Sequence, residues 1–438
     1  MKKSSFLLPI CLTTLLAPNL SALDSQFGSL GRWTETATNP NTGAIGDHGS
    51  PMTVTWSIVP DGTPMSGSRI EPGTTSSFIS LLDGRFDPTH TGGSDLTKRA
   101  WFPTIRQAFD RWDELSGLTM KYSVDDGATH KPFGAEGKLG VRGDIRIASS
   151  DYSPGSLAYS YYPNLSEMVI KSSTANSWHL FKPSKPINHL NNPYLNNLIA
   201  HESGHGLGLP HLRSDNTKQL MEPNLQTSFF GPQMDDILRI HRLYGDKYET
   251  IRRNESFQHA LNIGNLNQNT NFAIGLDADR NHDQLVQYNE ADFVSIDDNS
   301  DRDFYKFSLD SNSLLDIALN PQGINFLRNN MEPSGEPRLP QLNYDMTALS
   351  NLGFVIYDDA GNAIRWRNSN SKGFSESLND YFLAAGDYFL RVYGQDDNTQ
   401  FYSLEINAVA IPEPASLLIL SSLLIPLTRR RPTAKITS

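Results

Sequence analysis

Alternation between apolar and polar residues predicts short strands in the first half of the chain. Between two of them, apolar residues recur at helical spacing from Leu96 to Leu118, and Gly117 gives a stop signal. The first half is therefore predicted to be an α+β domain. Its strand-like segments are residues 52–58, 120–124, 144–148, 155–160 and 168–171.

The second half of the chain carries strand-like runs separated by turns. Residues 247–262 are polar and are interpreted as a linker, and the runs recur from there to about residue 409. Short strands in such a series favour an all-β sandwich over residues 263–409. The runs are residues 303–307, 315–319, 353–357, 388–392 and 402–406.

The first 50 residues differ from both predicted domains. Two lysines precede an apolar run and a small-residue stretch that ends at Ala22, which is the layout of a secretory signal peptide over residues 1–22. The run is shorter than the roughly 20 apolar residues that a membrane span requires. Residues 23–50 show no clear periodicity and are interpreted as a leader, so the first domain would cover residues 51–246.

Length, charge and cysteine content set further limits. A chain of 438 residues is too long for one ordinary core and fits two domains with terminal appendages. With 37 basic and 48 acidic residues the formal net charge is -11, which argues against a general nucleic-acid surface. Cys11, the only cysteine, lies in the predicted signal, so no internal disulfide is expected.

The clearest chemical signal is the stretch L-I-A-H-E-S-G-H-G-L-G-L-P-H at residues 198–211. His201 and His205 lie four positions apart, so on a helix both imidazoles share one face and can reach the same metal ion. Glu202 lies beside that face. From there its carboxylate can accept a proton from metal-activated water without being a ligand, as a general base must.

A turn after this helix would supply a third ligand. Gly208 can adopt the left-handed conformation that ends a helix, and the returning chain would bring His211 to the ion. Three neutral imidazoles suit one zinc ion and leave a fourth tetrahedral position for water, whose pKa zinc lowers to about 7. A structural zinc site is the alternative, but closed sites usually recruit a fourth protein ligand, commonly Cys, and Cys11 lies in the export signal.

At these residues the chain resembles the metzincin metalloproteases and, among them, the matrixins. Met221, in Q-L-M-E-P, stands where metzincins carry a methionine turn below the zinc, and residues 235–245 resemble the closing matrixin helix with its Leu-Tyr-Gly ending. The resemblance implies a zincin-type catalytic domain with a twisted, mostly parallel sheet and three helices. It also implies that residues 155–160 form an edge strand to which an extended peptide substrate can add.

The chain departs from the matrixin pattern in two ways. Matrixin zymogens are usually kept inactive by a cysteine of the pro-segment whose thiolate caps the zinc. The leader, residues 23–50, contains no cysteine, so this cysteine-switch latency is ruled out. Residues 171–173, Lys-Ser-Ser, stand where animal matrixins bind a structural zinc, so one catalytic zinc ion is expected. His179 and His189 stay unassigned. The resemblance leaves a calcium ion open in the catalytic domain without naming its ligands.

The second domain resembles the bacterial pre-peptidase C-terminal domain that is found beside secreted peptidases. The residues that carry this likeness are 301–307, 358–361 and 385–392. Asp277, Asp279, Asn281 and Asp283 alternate like the oxygen ligands of a calcium loop, but the loop lacks the glycine and final glutamate of an EF-hand. A solvated acidic turn is the preferred interpretation.

The tail, residues 410–438, resembles a PEP-CTERM sorting signal. Pro412-Glu413-Pro414 precedes an apolar run, and three arginines follow it on the side that would face the cytoplasm. An exosortase recognises such signals in Gram-negative bacteria. The resemblance therefore implies transient membrane association, tail processing and a location at the cell surface or outside the cell. A plain C-terminal anchor is the alternative, although the run is short for a full span.

Together these patterns predict an exported zinc endopeptidase that acts on protein or peptide substrates. Zinc held by the three histidines would polarise the scissile carbonyl, while Glu202 moves a proton from the attacking water to the leaving amine. Two alternatives stay open. One is a surface adhesion or extracellular-matrix protein whose zinc-bearing domain is not catalytic, and the other is a zinc amidase acting on cell-wall or other amides.

The tail hypothesis predicts that the native host removes this segment, because the apolar run is too short to anchor the protein well. Intact-mass measurement on protein from that host should show loss of the residues beyond about Pro412. A mature chain that still ends at Ser438 would contradict the sorting hypothesis.

Overall fold

A computed structural model describes residues 31–39, 48–132, 134, 136–152, 155–165, 167–175, 192–249, 253–268, 271–278, 283–329 and 341–412. We refer to the described residues up to 249 as the N-terminal region and to those from 253 as the C-terminal region. The predicted signal peptide, His179, His189 and the tail beyond residue 412 lie outside the described residues. The domain boundaries at residues 50, 246, 262 and 409 stay predictions.

The N-terminal region mixes strands and helices. Its strands are β1 (Met52–Ile58), β2 (Leu118–Tyr122), β3 (Ile145–Ser150), β4 (Ala158–Ser160), β5 (Glu167–Lys171) and β6 (Arg213–Ser214). Its helices are α1 (Phe78–Phe86), α2 (Phe102–Glu114), α3 (Ser172–Ala175), α4 (Pro193–Gly206) and α5 (Met234–Tyr244).

The regular secondary structure of the C-terminal region is almost wholly strand. They are β7 (Leu261–Asn265), β8 (Asn271–Ile274), β9 (Ser295–Ile296), β10 (Arg302–Leu309), β11 (Ser313–Pro321) and β12 (Asn325–Asn329). They continue with β13 (Leu342–Asp345), β14 (Leu352–Asp358), β15 (Ala363–Arg367), β16 (Glu376–Leu383), β17 (Gly386–Gly394) and β18 (Gln400–Ala410).

The sheet of the N-terminal region is mostly parallel, as the resemblance implied. Its order is β2-β1-β3-β5-β4, and only the edge strand β4 runs antiparallel to its neighbour. Helix α2 packs on this sheet through an apolar face, and Phe109 stacks on Trp56 of β1 at a ring-centroid distance of 4.4 Å. The structure of the N-terminal region is therefore consistent with the predicted α+β fold and its zincin-like sheet.

The first helices differ in detail from the sequence prediction. The helix predicted from Leu96 begins only at Phe102, because Leu96–Lys98 form a separate 3-10 turn that the side chain of Asp95 caps. Helix α1 was not predicted, since its nine residues contain Gly84, which weakens a helical pattern, and bury only Phe78, Leu82 and Asp83.

Two sheets of the C-terminal region share one hydrophobic core. Their orders are β15-β14-β17-β10-β7 and β16-β11-β18-β8, and the five strand-like runs predicted from the sequence fall within β10, β11, β14, β17 and β18. Alternate residues of β10 and β11, such as Tyr305 and Ile317, are buried in the same apolar cluster. Two sheets that enclose one core are the arrangement expected of a β-sandwich.

Helix α5 of the N-terminal region packs against the C-terminal region. Every residue of α5 is buried, and its Met234, Ile237 and Leu238 share an apolar cluster with Phe293 and Phe326 of the C-terminal region. Strand β12 pairs with β13 on one side and with β6 on the other, so the C-terminal region completes a sheet with the N-terminal one. Among the described residues, no helix is long and apolar enough to cross a membrane.

The stretch interpreted as a leader includes a core residue. Trp33 is only 5% exposed, belongs to the main cluster of the N-terminal region and donates from Nε1 to the Gly206 carbonyl at 2.9 Å. The Tyr244 hydroxyl accepts from the Trp33 N–H and donates to the Leu207 carbonyl. Residue Trp33 therefore braces the C-terminal end of α4.

Replacing Trp33 with alanine should lower the free energy of unfolding by about 3–5 kcal/mol, because it removes a buried indole and leaves a cavity. Chemical denaturation of the purified protein measures this change. The control is Trp366→Ala, since Trp366 is 68% exposed and its removal should change stability by less than about 1 kcal/mol. Equal effects of the two substitutions would show that residues 31–39 do not pack as described.

Candidate metal centre

The candidate site is built on α4, whose start follows from local sequence signals. Asn192 caps the helix by accepting the Leu195 N–H at 3.0 Å, and Pro193 occupies the first helical turn, where its missing N–H costs little. Trp112 of α2 donates from Nε1 to Ala200 O and Ser203 Oγ. The helix is therefore fixed along its length, as a precise ligand set requires.

Three imidazole nitrogens converge at the end of α4. The Nε2 atoms of His201 and His205 each lie 3.2 Å from Nε2 of His211. Backbone carbonyls fix the orientation of two rings, since Nδ1 of His201 lies 2.7 Å from Leu220 O and Nδ1 of His205 lies 2.7 Å from Leu209 O. Each of these rings thus donates from Nδ1, which leaves its Nε2 lone pair facing the other two histidines.

The spacing of these nitrogens fits a zinc ion. Tetrahedral zinc with Zn–N bonds of about 2.0–2.1 Å places its nitrogen ligands roughly 3.3–3.4 Å apart, close to the 3.2 Å observed. His201, His205 and His211 are a group of histidines, within the described residues, that could hold a metal ion. The donor set of three nitrogens also suits zinc better than calcium or magnesium.

Burial keeps the three imidazoles neutral. It lowers the pKa of His201 to about 4 and that of His211 to about 3, and it holds the pKa of His205 well below its usual value. The neighbouring histidines lower the pKa values of His205 and His211 further. Neutral imidazole is the form that binds metal, so all three lone pairs are available near pH 7.

Glu202 lies on the same buried helix. It is 5% exposed, and its Oε2 has no hydrogen-bond partner among the described residues. Burial raises the pKa of its carboxyl group to about 8. A buried, unsatisfied carboxyl group is costly unless a polar ligand contacts it, which is what a catalytic acid or base requires.

The turn after α4 has the geometry predicted for Gly208. This residue has φ of +111°, and a Cβ atom there would lie 2.1 Å from the carbonyl oxygen of Gly31. Leu209 N donates to Gly204 O at 2.9 Å, which closes the turn and sends the chain back toward the helix. Gly208 thus makes possible the return that brings His211 to the other two histidines.

Met221 packs directly against the helix, and its assignment to a methionine turn stays a prediction. It is fully buried, and a Cβ atom on Gly204 would lie only 2.5 Å from its Sδ. The Met221 carbonyl also accepts the Leu212 N–H at 2.9 Å, immediately after His211. The turn therefore supports the helix from below and the third histidine from the side.

Asp236 and Arg239 of α5 hold this turn in place. Asp236 accepts the N–H groups of Leu220 and Met221 at 2.7 and 3.2 Å, and the Leu220 carbonyl orients His201. Arg239 contacts Asp236 at 3.4 Å and donates to Pro210 O at 3.1 Å, one residue before His211. Both side chains are buried, so their charges are little screened.

Sequence reasoning found the ligands but not these supports. Residues 235 and 236 fall within the segment that resembles the closing matrixin helix, but no role at the site was predicted for them or for Arg239. The sequence of α5 could have predicted the ion pairs, because Arg239 lies four residues after Asp235 and three after Asp236, which are the spacings that pair on a helix. Only the fold shows that this network reaches the methionine turn.

The residues of two other metal predictions, the missing structural zinc at 171–173 and the calcium-like stretch at 277–283, make contacts within the protein. The Lys171 ammonium group lies 5.4 Å from the centre of the Tyr152 ring, and the Ser173 N–H donates to Asp151. In the acidic stretch, Asp277 accepts the backbone N–H groups of Ala291 and Asp292, while Asp279 and Asn281 lie outside the described residues. The calcium-loop alternative therefore gains no support from the described part of the stretch.

Comparison with protein families gives a match at this site. The family model for matrixin, Peptidase M10, matches residues 89–245, a range that contains the three histidines, Glu202 and Met221. This match suggests a zinc metalloprotease as the general class of the N-terminal region. Comparison with curated proteins gave no match.

Two solved structures are similar to part of the chain. The pre-peptidase C-terminal domain of collagenase from Bacillus anthracis is 17% identical, with 34% of this chain and 94% of that chain covered and a TM-score of 0.19. The GM1-bound form of the ECX AB5 holotoxin is 14% identical, with 47% of this chain and 65% of that chain covered and a TM-score of 0.20. At these TM-scores neither likeness establishes a shared fold.

Asp236→Asn should weaken zinc binding by about 10- to 100-fold, because it removes the charge that holds the methionine turn and pairs with Arg239. Competition with a zinc-binding dye measures the affinity, and metal analysis of the wild-type protein should give about one zinc per chain. Asp110→Asn is the control, since this aspartate pairs with Arg106 on the exposed face of α2. Unchanged affinity in Asp236→Asn would mean that the turn does not support the site.

Proposed function

We propose that the protein is an exported zinc-dependent endopeptidase of the matrixin type. The observation that carries the proposal is the convergence of three neutral imidazoles beside the buried carboxyl group of Glu202, whose Oε2 has no hydrogen-bond partner among the described residues. The match of residues 89–245 to the matrixin family supports the same class. Export and processing by an exosortase rest on the sequence of the two ends alone.

The reaction divides between the metal ligands and Glu202. Zinc bound by His201, His205 and His211 would lower the pKa of a water molecule to about 7 and polarise the scissile carbonyl. Glu202 then accepts the proton from the attacking water and gives it to the leaving amine. The zinc cation also favours the ionised carboxylate of Glu202, against the burial that raises its pKa.

The edge strand β4 is the proposed binding site for the peptide backbone. It pairs with β5 on one side, and within the described residues no strand pairs with its other edge. The strand runs close to the end of α4, since a Cβ atom on Gly206 would lie 3.5 Å from Ser160 Oγ. Tyr162, just beyond β4, meets the His205 ring edge-on at 5.8 Å. An extended peptide added to this edge would pass the histidines.

The loop at residues 225–232 is proposed to shape the pocket for the side chain that follows the scissile bond. Asn197 of α4 fixes this loop, because its Nδ2 donates to the carbonyls of Gln226 and Phe229 and its Oδ1 accepts the Gly231 N–H. The side chain of Asn197 thus ties this loop to α4, the helix that carries His201 and His205. Substrate choice would depend on the loop residues that surround this anchor.

The C-terminal region is proposed to be a pre-peptidase C-terminal-like β-sandwich that binds or positions something outside the active site. Its two sheets and shared core support a sandwich. A non-catalytic adhesion protein and a zinc amidase remain as alternatives. The intact Glu202 favours an enzyme over a scaffold. The edge of β4 that no strand of the described residues covers favours an extended peptide over a compact amide.

Glu202→Ala and His211→Ala should separate a protease from a zinc-bearing scaffold. Glu202→Ala removes the base but no ligand, so peptide cleavage should fall by about 10² to 10⁴ while zinc content stays near one per chain. His211→Ala removes a ligand, so it should weaken zinc retention as well as activity. Cleavage of a peptide library and metal analysis are the two measurements, with Glu114→Ala on α2 as a control that should change neither.

Equal, metal-dependent cleavage by the wild-type protein and Glu202→Ala would contradict the proposed mechanism. A zinc-loaded wild-type protein that cuts no peptide in a broad library would favour the scaffold. Hydrolysis of cell-wall amides without peptide cleavage would favour the amidase.

A further inference from the structure

Three tyrosines and one arginine lie together beside the edge strand β4. Tyr159, in the middle of β4, packs in a small apolar cluster on one face of the sheet, whereas its neighbour Ala158 belongs to the main cluster that α4 shares on the other face. The Tyr159 ring meets the rings of Tyr152 and Tyr161 edge-on, at centroid distances of 5.1 and 5.7 Å. The guanidinium carbon of Arg69 lies 5.5 Å from the centre of the Tyr159 ring. We refer to these three tyrosines and Arg69 as the Arg69 cluster.

The turn that carries Arg69 is fixed against the same face of the sheet. The Ile70 N–H donates to the Gly67 carbonyl at 3.1 Å, which closes a turn with Arg69 at a central position. Met65 and Ile70, on either side of this turn, are buried in the same apolar cluster. A Cβ atom on Gly67 would lie 3.6 Å from the Tyr161 hydroxyl oxygen. The backbone at Arg69 is therefore held in place, while its side chain is exposed.

The backbone of β4 offers hydrogen bonds to a further strand. Strand β4 pairs antiparallel with β5, and just past its end the Tyr161 N–H donates to the Glu167 carbonyl at 3.2 Å. Alternate residues of an antiparallel strand bond to the same neighbour, so the N–H and C=O groups of Ala158 and Ser160 point to the opposite edge. No strand of the described residues pairs with that edge. Tyr159 lies between the two residues that a peptide backbone would bind.

A peptide that pairs with this edge would place one side chain against the Arg69 cluster. Directly opposed residues of neighbouring strands share a face, with Cβ atoms about 4.5–5.5 Å apart. The peptide residue opposite Tyr159 would therefore face Arg69. The residues before and after it would point to the other face, toward α4, which carries His201 and His205.

The Arg69 cluster carries a positive charge near pH 7. Burial raises the pKa values of all three tyrosines, to about 12 for Tyr152, and the Arg69 cation opposes each rise. The tyrosine hydroxyls therefore stay neutral and do not cancel the charge of the guanidinium group. The cation–π contact with Tyr159 uses none of the five N–H donors of an arginine, so a carboxylate can pair with them.

We propose that Arg69 selects peptide substrates that carry Asp or Glu at the position opposite Tyr159. A planar guanidinium group binds a carboxylate through two parallel N–H···O hydrogen bonds, and it repels lysine or arginine at the same position. The inference rests on the proposed peptidase function and names the substrate class for the same site.

Peptide binding to the zinc-loaded, full-length Glu202→Ala protein tests this inference without cleavage. Fluorescently labelled octapeptides that carry Glu or Gln at one position at a time serve as probes, and fluorescence anisotropy measures their affinity. At one position Glu should bind about fivefold more tightly than Gln. Adding Arg69→Gln should remove this preference, and adding Arg69→Glu should shift it to Lys, with zinc content unchanged. A merely structural role of Arg69 would not produce this reversal.

Arg106→Gln in the same Glu202→Ala protein is the matched control, because Arg106 is an exposed arginine on α2 and its loss should leave the preference intact. Equal binding of the Glu and Gln peptides at every position would overturn the inference, and so would the absence of any peptide binding. A preference that persists in Arg69→Gln, or that Arg106→Gln removes to the same extent, would overturn it as well.

Cleavage of the same peptides by the wild-type protein reports separately on the proposed function. Cleavage with no preference for Glu at any position would overturn the selection by Arg69 and leave the peptidase function standing. A Glu preference in binding that depends on Arg69, without cleavage by the wild-type protein, would support the selection and contradict the peptidase function.

Discussion

The structure depends on holding three acceptor nitrogens face to face. Lone pairs 3.2 Å apart repel one another, so without a cation this arrangement has to be enforced by the rest of the protein. The carbonyls of Leu220 and Leu209 orient two of the rings, and Asp236 and Arg239 hold the segments that carry them. The buried packing of α4 against Trp112 and Trp33 keeps the helix from moving away from its partners.

The metal ligands could be predicted from the sequence because their geometry is local. A helix places residues four apart on one face, and a glycine with positive φ returns the chain within six residues, so His201, His205 and His211 follow from spacing alone. The strand runs of the C-terminal region were also predicted, because alternating residues face a shared core. These signals depend on neighbouring positions and survive without knowledge of the fold.

The supports could not be predicted because they join residues far apart in the chain. Asp236 contacts a backbone segment 16 residues away, Trp33 contacts Gly206 across 173 residues, and Arg328 pairs with Asp235 across 93. Residues 31–39 show no periodicity, so nothing marked Trp33 as part of the core. The meeting of Glu249, Glu255 and Asp301 could not be predicted for the same reason, since Asp301 is far from the other two in sequence and meets them only when both regions are folded.

The pairing of β6 with β12 bears on the order of events during synthesis. The backbone N–H of Asp215 donates to the carbonyl of Leu327 at 3.0 Å, although Leu327 follows it by 112 residues. A ribosome translating at about 5–20 residues per second reaches this partner only several seconds after His211 has been made. The hydrogen bonds of the segment that follows the third histidine are therefore complete only once Leu327 has been made. A chain that ended before β12 would lack the partner strand of β6, which begins two residues beyond His211.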